Sequence, residues 1–253
     1  MSNANLTNDV WVIIFRFLTD RDDIYTGNEV KTRKFVEAVL WMLRSGAQWR
    51  LLPENRGKWN SIFKRFDRWG KKGIWDSMFK HFSNDPDMEN IMVDSTVVRA
   101  HACSAGAVQK EGEENDQALG RSKGGFSTKI HILVDALGNP LKFILTSGQS
   151  ADVTQAIPLL SGHQADNALL DKAYDADDVI NFLERCSIVP VIPPKSNRKE
   201  PRGYDKHLYK ERHLVECFIG KLKQFRRIFS RFDKTSINYL HFIYFASALI
   251  WLR

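Results

Sequence analysis

The sequence predicts an α/β protein: a small all-helical unit over residues 1–85, then a mixed sheet with helices packed on it over residues 86–253. Three observations predict this. Apolar residues recur at helical spacing through the first third. From about residue 90 the texture changes to β-branched, alternating stretches. Further on, short apolar strands alternate with helical segments, the pattern of a sheet covered by helices.

Taken in order, LTNDVWVIIFRFL (6–18) has helical spacing. VKTRKFVEAVLWMLRSG (30–46) is amphipathic, with Val36, Val39, Leu40 and Leu43 as its stripe and Gly46 placed to end it. A loop with Pro53 and Gly57 leads to KWNSIFKRFDRWG (58–70). There Ile62, Phe63, Phe66 and Trp69 bury one side, Asn60, Lys64, Arg65 and Arg68 face outward, and Gly70 stops the helix. The short helix IWDSMFKHF closes the unit. Helix, turn and shorter helix with a basic outer face suit a helix-turn-helix DNA reader. A small bundle with a solvated basic face is the blander reading. NDPDME (84–89) reads as a linker.

NIMVDSTVVRAH (90–101) is a strand, and KIHILVDALGNPLKFILTSG (129–148) is two strands joined at LGN. ALLD (168–171) is a short strand ending in a carboxylate. DADDVINFLERC (175–186) is a helix and IVPVIPP (188–194) a strand. A basic loop then opens the helix YKERHLVECFIGKLK (209–223). The apolar INYLHFIYFASALIWL (237–252) is short for a membrane span and holds Asn238 and His241, so it reads as a buried core helix.

The chain has 253 residues and a net charge of +7, unevenly spread. Residues 195–234 carry 13 Lys/Arg against 5 Asp/Glu, whereas residues 86–194 carry 8 against 15. Basic flanks suit a phosphate polyanion, and an acidic middle suits divalent metal. Three scattered cysteines with no CxxC pair argue for a reducing compartment and against a zinc knuckle. MSNANLTNDV lacks the basic region of a secretory signal. A cytoplasmic protein is expected. His101 and Cys103 are two ligands, too few for a zinc site.

Metal-dependent phosphoryl transfer needs carboxylates converging on one point. Magnesium keeps several waters, so few protein ligands suffice. An acid inside an apolar strand is costly unless it meets a cation. Asp94, in MVDSTVV, fits that description; the competing reading is an edge-strand surface acid. Asp171 closes ALLD; the competing reading is a helix N-cap. Asp135 precedes LGN, a turn position. Asp175, Asp177 and Asp178 suit the first turn of a helix.

Two glutamates remain. At 100° per residue, Tyr209, Arg212, Glu216, Lys223 and Arg227 share one stripe around Gly220. Phe218, Leu222, Phe225 and Phe229 form the core face, and Glu211 falls on that side. Glu216 therefore stands among phosphate-seeking residues. A salt-bridged surface glutamate is the alternative.

Tyr209, Arg212, Glu216 and Lys223 match Y-(2)-R-(3)-E-(6)-K, the signature of DDE transposases from bacterial insertion sequences. LRSGAQWRLLPE (43–54), WNSIFKRFDRW (59–69), MVDSTVVRAH (92–101), GRSKGGFSTKIHILVDALGNPLKFILTSGQ (120–149) and LLDKAYDADDVI (169–180) resemble the insertion-sequence-five group. The resemblance covers nearly the whole chain. It implies a ribonuclease-H-like core in which Asp94, Asp171 and Glu216 bind two Mg²⁺ ions, with Mn²⁺ able to substitute. It implies a helical domain that helps bind terminal inverted repeats, and assembly with further copies of the chain on duplex DNA. The implied reaction is hydrolysis at the element's ends, then attack of the freed 3′-OH on target DNA. Arg212 and Lys223 would bind phosphate oxygens and Tyr209 the same backbone, with Arg227 beside them. Lys64, Arg65 and Arg68, and Lys123 in the glycine-rich loop 120–129, would touch DNA. A nuclease on the same core without strand transfer, or an inactive DNA-binding regulator, are the rival readings.

Overall fold

The computed structural model describes residues 5–106, 117–122 and 124–253. Four helices come first: α1 (Asn8–Thr19), α2 (Glu29–Ser45), α3 (Trp59–Lys71) and α4 (Ile74–Phe82). Thr7 caps α1 and Asn28 caps α2, each side-chain oxygen accepting a backbone N–H of the first turn. Gly46 ends α2 at φ 65°, a left-handed conformation that glycine adopts without a Cβ penalty. The connection from α2 to α3 contains two 3-10 turns, Trp49–Leu51 and Glu54–Arg56. This is longer than the three- or four-residue turn of a helix-turn-helix. Gly70 does not stop α3, which runs on to Lys71.

Among the described residues the sheet has seven strands: β1 (Asn90–Ala100), β2 (Gly120–Ser122), β3 (Gly125–Val134), β4 (Pro140–Ser147), β5 (Asn167–Leu170), β6 (Val189–Val191) and the two-residue β7 (Ser230–Arg231). The main path is β2-β3-β1-β5-β6, with β4 on β3 and β7 on β1. β2, β3 and β4 pair antiparallel, as do β3 and β1, whereas β1, β5 and β6 are parallel. The stretch 120–129, expected as a glycine-rich loop, instead holds β2 and the first half of β3, paired antiparallel; Gly125 takes φ 95°. Asp135 is buried and accepts the N–H groups of Leu137 and Asn139, the turn role its position before LGN predicts.

The remaining helices are α5 (Ala156–Leu160), α6 (Asp177–Arg185), α7 (His213–Lys223), α8 (Arg226–Phe229) and α9 (Ser236–Trp251). Period-two alternation on β1 sends Ile91 and Val93 to a core with α5 and α6, and Met92 and Val98 to a larger core with α7 and α9. The larger core also contains α1 to α4. Phe66 stacks on Phe242 at 4.5 Å between ring centres, and Trp75 lies 5.2 Å from Phe245. The helical unit and the sheet therefore share one core through α9. The segment read as a linker is pinned too: Ala136 donates to the Asp87 carbonyl at 2.9 Å.

Candidate active site

β1 is flanked by β3 and β5, so Asp94 is not an edge-strand acid. Its side chain keeps 21% exposure. The Ser95 backbone N–H donates to Asp94 Oδ1 at 2.7 Å, and Arg212 Nη1 donates to Oδ2 at 3.0 Å. Burial pushes the Asp94 carboxyl above its ordinary value, and these two donors offset that only in part.

Asp171 arrives beside it through register. Val93 on β1 stands level with Leu170 on the parallel β5. The next residues on each chain are Asp94 and Asp171, and neighbouring strands lie about 4.8 Å apart. Asp171 also caps the 3-10 turn Lys172–Tyr174, its Oδ1 accepting from the Ala173 N–H at 3.2 Å. Asp171 thus makes the cap that the competing reading expects.

Glu216 lies in the first turn of α7, with its carboxylate more than half exposed. Arg212 Nη2 donates to its Oε1. One guanidinium therefore joins Asp94 to Glu216. Tyr209 stands 5.9 Å from that guanidinium across its ring face. Burial pushes the Tyr209 hydroxyl up, and the nearby charge of Asp171 adds to it. Lys223 is half-buried in the last turn of α7, two turns beyond Glu216. Glu211 is elsewhere: its Oε2 accepts from Asn90 Nδ2 at 3.0 Å, tying the 3-10 turn Leu208–Arg212 to the start of β1.

Arg227 does not share the stripe of Glu216. A continuous helix would align it with Glu216. The helix instead breaks at Phe225, whose backbone is extended at φ −80° and ψ 105°, and α8 restarts out of phase. Arg227 turns inward, 2% exposed, and pairs bidentately with Asp233 at 2.7 and 3.0 Å. It cannot reach DNA from there. The same break leaves Phe229, read as core, 62% exposed. On α3, Lys64 and Arg68 are exposed, whereas Arg65 is half-buried. Lys123 lies outside the described residues.

A second polar cluster occupies the opposite face of β1, directly behind Asp94. Ser95 Oγ donates to Asp152 at 2.7 Å, and Lys129 Nζ pairs with the same oxygen at 2.9 Å. His131 is fully buried 3.8 Å away, and burial lowers its pKa to about 4. Burial would raise Asp152, but Ser95 and Lys129 hold it below the usual carboxylate range. Burial, and then the charges of Asp152, Asp94 and Asp171, push the Tyr174 hydroxyl well up. None of these five residues was singled out from sequence. The available signal was KIHILV, in which Lys129 and His131 interrupt an apolar strand at period two.

Residues 85–251 match the family model described as "Transposase DDE domain", and residues 6–79 match "Putative transposase of IS4/5 family". The chain belongs to the DDE transposase family. Members of this family are enzymes of DNA transposition. The chain is 41% identical to a Brucella ovis protein named as a transposase for insertion sequence element IS6501, over 50% of this chain and 99% of that one. It is 34% identical to a Burkholderia cepacia protein named as a transposase for IS402, over 42% of this chain and 54% of that one. Among solved structures it is similar to a piggyBac transposase synaptic complex with hairpin DNA, at 12% identity and TM-score 0.43, covering 76% of this chain and 48% of that one. No helix among the described residues is long and apolar enough to cross a membrane.

Proposed function

We propose that this DDE transposase binds the terminal inverted repeats of its element, hydrolyses the phosphodiester at each end, and joins the freed 3′-OH to target DNA. The observation that supports the site is the Arg212 guanidinium, which joins Asp94 on β1 to Glu216 on α7. Asp171 follows Leu170, which pairs with Val93 next to Asp94 on the parallel neighbour β1. The sheet order, three antiparallel strands followed by two parallel ones, supports a ribonuclease-H-like core. The two matched regions support a helical DNA-binding domain over residues 1–85 and a catalytic domain over 86–253.

The donor set fits divalent magnesium, with manganese as a substitute. All three ligands are hard carboxylate oxygens, and magnesium commonly takes one or two protein carboxylates plus water. Asp94, raised by burial, is a carboxylate in need of a cation. Among the described residues no three of His, Cys, Asp or Glu converge closely enough to hold one ion. The guanidinium of Arg212 stands between Asp94 and Glu216 instead. When bound, the ions activate the attacking oxygen and neutralise the leaving one.

The chain's own residues do the rest. Arg212 exchanges its carboxylates for the oxygens of the scissile phosphate, which frees Asp94 and Glu216 as ligands. Guanidinium and phosphate match in fork geometry. Lys223 holds the next phosphate along α7, and Tyr209 hydrogen-bonds the same backbone. Further copies of the chain hold the second end.

The test is nicking and strand transfer on labelled DNA carrying the element's ends, with Mg²⁺ or EDTA. Wild type and Glu211→Gln should cut and join with Mg²⁺ only, and Glu216→Gln should do neither. Equal cutting by both variants would remove Glu216 from the site. Cutting without joining would favour a nuclease.

A further inference from the structure

The helical unit carries a second cationic site, away from the carboxylates. The loop before α2 and the outer side of α3 enclose a cavity of about 340 Å³. Four cations line it, Lys31, Arg65, Arg68 and Lys72, and among the described residues no carboxylate does. Lys72 also binds the Asp23 carbonyl and feels the Asp23 carboxylate; the other three cations repel one another unless an anion enters.

Arg65 is the distinctive member. Its guanidinium lies over the rings of Phe35 at 4.3 Å and Trp69 at 5.0 Å, and donates to Thr32 Oγ1 at 3.2 Å. No acid lies within ion-pair distance of it among the described residues. Phe35 and Trp69, set at 71° to each other, restrain the fork from two sides, so it is pre-organised for a planar array of oxygens. The same contacts stop it extending to a base edge, as a recognition-helix arginine would. Burial, and then the neighbouring Arg68, lower its pKa. Asn28 caps α2 at the cavity wall, so the positive end of a 17-residue helix faces the same space.

We propose that this cavity binds one phosphate of the DNA backbone, with Arg65 as its fixed anchor and Arg68, Lys31 and Lys72 completing it. The inference rests on the transposase reading for its choice of polyanion. The contact positions the helical unit on the duplex and carries no sequence information.

The test uses the full chain and fluorescence anisotropy, with one duplex carrying the element's end and one scrambled duplex of equal length, over a range of salt. Arg65→Met keeps the packing on Phe35 and Trp69 without the charge. Arg68→Gln changes an exposed residue and leaves the fold alone. Each should weaken both duplexes by a similar factor, on the order of tenfold, and reduce the salt slope by about 1. Unchanged slopes in both variants overturn the phosphate site and leave the transposase reading standing. Loss confined to the end duplex also overturns it, since that is base reading. Arg65-dependent binding of free ATP with an unchanged duplex slope overturns the backbone assignment. Wild type that binds neither duplex overturns the transposase reading and this one with it.

Discussion

Arg212 donates to Asp94 at 3.0 Å with one terminal nitrogen and to Glu216 with the other. The side chains of Arg212 and Asp94 are only 13% and 21% exposed. The pair is therefore mostly desolvated, and removing one partner leaves a partly buried charge. Arg212→Ala should lower stability by about 1–3 kcal/mol without divalent metal. Millimolar Mg²⁺ should return more of that loss than the stabilisation it gives wild type, because a cation again stands between the acids. Thermal melts of both proteins with and without Mg²⁺ check this. Equal Mg²⁺ shifts would show that Arg212 does not hold a cation's place.

Asp152, behind the strand, anchors Ser95 and Lys129. Lys129 is 11% exposed, so Asp152→Ala strands a buried ammonium. The expected cost is about 2–3 kcal/mol in denaturant unfolding. Lys129→Met in the same chain should recover part of it, because the stranded charge is gone. Additive losses in the double variant would contradict the coupling.

Acid should weaken the fold through its buried histidines. Burial lowers His131 and His241 to about 4, against 6.5 for a free imidazole. The unfolded chain then takes up protons that the folded chain refuses. Stability is full above pH 6.5 and falls as pH drops toward 4. Each group contributes roughly 3 kcal/mol across that window. Urea midpoints at pH 7, 6 and 5 should fall in sequence. A flat midpoint down to pH 5 would contradict the burial of neutral imidazoles.

Two helical glycines should respond oppositely to alanine. A Cβ on Gly70 would meet His241 at 2.1 Å, where α3 crosses α9. Gly70→Ala should cost about 1–3 kcal/mol despite the better helix propensity of alanine. Gly220, on α7, has nothing within 4 Å of such a Cβ. Gly220→Ala should stabilise by about 0.5–1 kcal/mol. Melting temperatures that move the same way for both would contradict the packing described.

The period of the apolar residues made most of this fold legible. β1, the β3–β4 pair and α2 fall where alternation or helical spacing puts them. Asp94 and Asp171 stand out in the sequence because an acid ending or interrupting an apolar strand is costly. Their neighbourhood could not be read as register, since β1 and β5 are joined only by long-range pairing. The break at Phe225 was hidden because QFRRIF has no glycine or proline to announce it, and Arg227 was misplaced with it. Asp152 was hidden for the first reason: its partners Ser95 and Lys129 come from other strands. Arg65 was legible as basic and outward on α3, but not as a fork clamped between Phe35 and Trp69, because α2 supplies one ring.

The most direct measurement is Mn²⁺ binding, followed by electron paramagnetic resonance, with wild type, Asp94→Asn and Asp171→Asn each bound to a DNA end. A shared site predicts tight Mn²⁺ binding in wild type and at least a tenfold weakening in each variant, with both still holding DNA. Wild-type Mn²⁺ affinity retained in both variants would contradict the placement of the metal between Asp94 and Asp171.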